Sequence, residues 1–219
     1  MKAKIRPFKM PYVTSWSLLG LRGGKTKMDP NHKMFYIACT LFIFGVAMGA
    51  VFVSLDNMSL LEYLSYLTKN GLETRVSGKV LAIFVNCLIP HLVLMLFCWM
   101  FANCTFGMPF ILFLIIYKGT GAGLMGGYIY RYYGGAGVLY NLFITMPPAL
   151  IAAVGFLWLA VYSSKASVTL YAVAIKGTAR NIKDVSADVY HYLALAGVAA
   201  CVSAMLEAVL FKVFGGLFI

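Results

Sequence analysis

Five polar side chains stand inside otherwise apolar stretches of this chain: Lys118, Glu207, His91, Asn86 and Asn141. A lysine or carboxylate at mid-depth of a membrane costs about 2.5–3.5 kcal/mol on insertion scales, so each is expected to face protein or water and to have a partner. A Lys118/Glu207 pair beside Asn86, Asn141 and His91 could do one of two things. It could carry protons or ions along a path, or it could lock the register of packed helices, and the lock is favoured. His91 has no Asp or Glu nearby in sequence, which points to a hydrogen-bonded structural residue before a metal ligand or relay. No Ser/His/Asp, Cys/His or paired-carboxylate arrangement supports catalysis, so no catalytic residue, metal or cofactor is assigned and the chain is read as a non-enzyme.

The elements that must position these groups are membrane helices. Charged residues make up 11% of the 219 residues, against about 25% in soluble domains, and mean hydropathy is +0.85. A helix needs about 20 apolar residues to cross the hydrocarbon core. Five segments qualify: 34–55, 80–104, 108–130, 136–162 and 191–218. The fold class expected is all-α, a polytopic membrane protein with a bundle of five transmembrane helices. Pro147-Pro148 is expected to kink the fourth helix near Met146. Residues 1–33 form a basic N-terminal arm and 34–219 the membrane domain.

Small residues mark where helices approach. Gly119, Gly123 and Gly127 follow Lys118 at four-residue spacing, Gly45 and Gly49 form a GxxxG in the first span, and Ala196, Ala200, Ala204 and Ala208 repeat the spacing in the last. Bare stripes of this kind let backbones pack closely in lipid. Thr105, Phe106 and Gly107 leave room only for a tight antiparallel hairpin between the second and third spans. Residues 163–190 are expected to be a loop carrying one interfacial helix, with Val168, Tyr171, Ala172 and Ile175 inward. Residues 58–68 are expected to form a short amphipathic helix at the outer surface. Counting about 1.5 Å per residue puts Glu207 within about 3 Å of mid-depth, but counting from the inner ends separates it from Lys118 by roughly 9 Å. Depth alone leaves that pairing open.

The distribution of the net charge of +11 says more than its sum. Lys2, Lys4, Arg6, Lys9, Arg22, Lys25, Lys27 and Lys33 precede the first span, and Lys165, Lys176, Arg180 and Lys183 lie between the fourth and fifth. Only Lys69, Arg75, Lys79, Arg131 and Lys212 fall on the other side, so the positive-inside bias predicts a cytoplasmic N-terminus and an outside C-terminus. The basic arm is suited to anionic membrane lipids. Nucleic acid is excluded as a partner, because no base-stacking or groove-reading motif accompanies the charge. The GGKT at 23–26 is no phosphate loop, since the glycine required five places before Gly24 is Leu19. The five cysteines lie in or at the ends of apolar segments and read as small hydrophobes. Self-association is left open.

The ordered segments FGVAMGAVFV (44–53), GMPFILFLIIYKGTGAGLMGGYIY (107–130), MPPALIAAVGFLWLA (146–160) and AMLEAVLFKVF (204–214) resemble the stage II sporulation protein M family. The resemblance covers residue 34 to the end and singles out Lys118 with its glycines, and Glu207. It implies a non-enzymatic scaffold in the septal and mother-cell membrane of an endospore former, required for peptidoglycan thinning and engulfment. The partners it implies are two cell-wall hydrolases, stage II sporulation proteins D and P, and the segments expected to recruit them are the outer ones, chiefly residues 56–79 and the Arg131 turn. An alternative, an ABC-type permease subunit or channel with Lys118 and Glu207 in its path, is carried alongside. One departure limits the transfer: the wider superfamily often carries His-Gly and a glutamate after the proline of the fourth span, where this chain has Pro147-Pro148-Ala149-Leu150.

Overall fold

A computed structural model describes residues 30–55, 62, 66, 80–177 and 182–214. Most of the N-terminal arm and the expected outer helix at 58–68 therefore lie outside the described residues. The described chain is helical throughout, without strands: α1 (Pro30–Ser54), α2 (Val80–Ala102), α3 (Gly107–Tyr140), a π-helical turn (Asn141–Thr145), α4 (Met146–Lys176) and α5 (Ile182–Phe214).

Among the described residues four helical stretches are long and apolar enough to cross a membrane, and the third runs from Gly107 to Ile175 over 69 residues. A straight helix of that length would span roughly 100 Å, about three times the hydrocarbon core. It reverses at Gly134, whose φ of 54° and ψ of −133° are non-helical. Positive φ is cheap only for glycine, so one residue is enough to turn the chain. Beyond it Gly137 lies against the Ile129 carbonyl and the Tyr133 side chain, where a methyl group would collide with both.

The expected five-helix bundle with a kinked fourth helix is therefore not matched in that form. The third and fourth spans join through a single non-helical residue, and the prolines do not break the helix they enter. Met146 keeps helical angles (φ −63°, ψ −47°) directly before Pro147. Prolines lack the N–H that closes the ladder and crowd the preceding turn. The wider π-helical turn just before them gives the rings room. The expected loop after residue 162 is also corrected: α4 continues to Lys176 and ends on Gly177 in the left-handed conformation. Ser163, Ser164, Ser167 and Thr169 are buried there, while Ile175, expected inward, is exposed.

The most extensive helix crossing among the described residues joins α1 to α3, followed by α4 with α5 and α2 with α5. At the α1–α3 crossing the glycines meet backbone directly. A Cβ at Gly45 would strike the Ile116 carbonyl oxygen, one at Gly49 that of Thr120, one at Gly119 that of Phe42, and one at Gly123 that of Val46. Gly127 is different, since its added Cβ would sit 3.5 Å from Ala50 and Val53, an ordinary contact. The main core takes residues from all five helices, including Met34, Cys98, Ile115, Phe156 and Ala200. The outward surface is apolar, with Ile43, Leu81, Phe113, Val198 and Met205 exposed, as a lipid-facing surface requires.

These contacts separate two glycines of one stripe. Gly123→Ala is expected to cost about 1–3 kcal/mol, because rigid backbone blocks the methyl group, while Gly127→Ala stays close to wild type. Thermal unfolding of the purified protein in detergent checks this, and equal behaviour of the two variants would contradict the crossing.

Candidate functional site

Lys118 lies on α3 one residue before Gly119. Because Gly119 is pressed against α1, the next side chain back points about 100° round the helix, away from that crossing. It lands on α4: the Lys118 Nζ is 4.8 Å from the centroid of the Phe156 ring. Phe156 is fully buried. Its position is fixed by the neighbouring Gly155, where a Cβ would come within 2.8 Å of Ala199 Cβ on α5. An ammonium over an aromatic face is held by the ring quadrupole, worth about 0.5–2 kcal/mol as the site becomes drier.

His91 on α2 is half-buried and near enough to feel the Lys118 charge. Among the described residues its Nδ1 is buried without a hydrogen-bond partner. Glu207 is placed elsewhere, on α5 between Ala204 and Ala208, which pack with Ile83, Cys87 and Phe211. Asn86 is exposed on the outer face of α2 rather than turned into the bundle. Asn141 is buried in the π-helical turn, where its Nδ2 donates to Tyr130 Oη at 2.7 Å. The five polar residues thus occupy four places, and only Lys118 and His91 share one.

Several groups that tie the bundle together were not singled out from sequence as site residues. Ser167 Oγ on α4 accepts from the Met108 N–H at 2.9 Å and donates to the Cys104 carbonyl at 2.8 Å. Helix α3 has no side-chain cap of its own, so a hydroxyl from another helix satisfies one of its orphan donors. Ser203 Oγ on α5 donates to the Pro148 carbonyl at 2.7 Å. Arg131 Nη1 donates to the Val53 carbonyl at 2.9 Å, one of the last acceptors of α1. An aromatic group joins α1, α4 and α5: Phe35 stacks on Trp158 at 4.6 Å, and Tyr162 stacks on Tyr192 at 3.7 Å with their hydroxyls bonded. Serines 163 and 167 sit four apart on one helical face. Their polarity lowers hydropathy, which placed them in a loop.

Among the described residues no group of three His, Cys, Asp or Glu could hold a metal ion. The arrangement around Lys118 can hold a cation and fix the rotation of α3 against α4. It offers no nucleophile aligned with a base.

Fold and site together define a polytopic α-helical membrane protein built on close helix contacts. The chain belongs to the Stage II sporulation protein M family, whose model matches residues 38–210. That makes it a sporulation-related membrane protein. No curated protein and no solved structure matches.

Two outcomes follow from the geometry. Ser167→Ala removes the partner of two backbone groups at the α2–α3 turn and is expected to cost about 1–3 kcal/mol, read as a lower melting temperature in detergent. In a double-mutant cycle, Lys118→Met and Phe156→Leu are expected to couple by about 0.5–2 kcal/mol. Additive effects would mean the ring does not hold the ammonium.

Proposed function

We propose that this chain is a five-pass scaffold of the bacterial cell membrane, required for endospore formation, that localises peptidoglycan hydrolases for septal wall thinning and engulfment of the forespore. The membership of residues 38–210 in the Stage II sporulation protein M family carries the reading. Its crossings are α1, α2, the two legs of α3–α4 on either side of Gly134, and α5. The N-terminus is cytoplasmic, with the basic arm of residues 1–33 against anionic lipid, and the C-terminus is outside. The protein acts in the mother-cell and septal membrane and is not an enzyme. Its partners are the hydrolases named stage II sporulation proteins D and P, docked on the outer side through residues 56–79 and the turn after Arg131.

In this reading Lys118 is a structural lock. It holds α3 to α4 by its aromatic platform, and Glu207 acts separately on α5. The polar layer around Lys118 has one ammonium, one imidazole and a ring, which supports a register-fixing role over a file of exchangeable sites.

Affinity purification of the full chain from sporulating cells is expected to recover both hydrolases. Recovery of an ATPase in their place, or solute flux through the protein in liposomes, would sink the scaffold and favour a transport subunit.

A further inference from the structure

Helix α2 carries a second polar feature that the site around Lys118 does not use. Ala82, Asn86, Ile89, Val93, Leu96 and Met100 are all exposed, and they follow one another by four, three, four, three and four residues. That is the 3.5-residue repeat of a coiled-coil seam. It runs along the side of α2 opposite the residues packed into the bundle, among them Ile83, Cys87 and Cys98.

Asn86 does not belong in lipid. It lies six residues, roughly 9 Å, from the end of α2 at Val80, within an apolar, membrane-length span. Its amide makes no interaction with a described residue. The backbone adds a second demand, because the residue four places on is Pro90, inside the same helix. Proline has no N–H to give the Asn86 carbonyl. One position therefore combines an exposed carboxamide with a backbone carbonyl that has lost its ladder donor, and in lipid each polar group left unsatisfied is costly.

We propose that this seam is the contact between two copies of the chain, paired in parallel along α2 with Asn86 against Asn86 of the second copy. Every copy enters the membrane in the same orientation, so a two-fold axis along the membrane normal brings each residue to its own depth on the other helix. A carboxamide is both donor and acceptor and satisfies a second carboxamide at equal depth. The carbonyl freed by Pro90 supplies a further acceptor. A single asparagine in an apolar seam also fixes register, since any slip separates the two amides. The pairing stands independently of the sporulation role.

Cysteine cross-linking of the full chain in native membranes tests it, with the exposed Cys104 and Cys201 replaced by Ser. Ile89→Cys and Val93→Cys are expected to form disulfide-linked dimers. Leu92→Cys, equally exposed but about 80° off the seam, is expected to form few. In the Val93→Cys background, Asn86→Leu is expected to lower the cross-linked fraction about three- to thirty-fold, and Asn86→Gln to retain most of it. Equal cross-linking from Leu92→Cys, an adduct with a different protein, or an Asn86→Leu chain that pairs as before would each overturn the proposal.

Discussion

The structure depends on one constraint: α1 and α3 touch backbone to backbone. In lipid there is little hydrophobic force to bring helices together, so association rests on close packing and on polar contacts. Gly45 and Gly49 on one helix and Gly119 and Gly123 on the other leave no space for a single methyl group. That contact sets the rotation of α3 about its axis. With Gly119 turned to α1, Lys118 has to point into the space filled by Phe156. A larger residue at the crossing would push α3 out and displace the ammonium from its ring.

Polar groups elsewhere serve the backbone. Ser167 closes the turn between α2 and α3, Arg131 closes the end of α1, and Asn141 ties the two legs across the Gly134 reversal. Each addresses a place where a helix end or a widened turn leaves donors or acceptors that lipid cannot satisfy. The chain is helical on both sides of Gly134 and on through Pro147-Pro148, so features that look like breaks in sequence become a one-residue turn and a π-helical bulge.

How much of this was legible in sequence follows from what each signal encodes. Apolar length and composition identify membrane helices because the bilayer requires both. Four-residue glycine spacing marks a close-approach stripe because 3.6 residues per turn keeps those positions on one face. The partner of a polar residue is not encoded in this way. Depth can be counted along a helix, but rotation comes only from packing, and rotation is what sends Lys118 to Phe156 and Asn86 outward. The C-terminal end of α4 was hidden for another reason. Ser163, Ser164, Ser167 and Thr169 lower hydropathy there, yet they are buried, their hydroxyls small enough to sit where helices pack closely.

The order of groups along α4 bears on whether the molecule is a conduit or a frame. Among the described residues, buried polar atoms without a hydrogen-bond partner stand at two levels, the His91 Nδ1 and the Ser164 hydroxyl further along. Phe156 and Ser163 are seven residues apart on α4, roughly 10 Å along its axis. Between them stand Leu157, Leu159, Ala160 and Val161, all buried in the main core. A water needs two to four polar partners to stay in place; these four side chains offer none, and the Tyr162 hydroxyl in the same stretch is already bonded to that of Tyr192. A chain of exchangeable sites would have to cross that stretch, whereas a frame gains rigidity from it. Of the two roles open to an intramembrane lysine, this packing favours the one that holds helices in place.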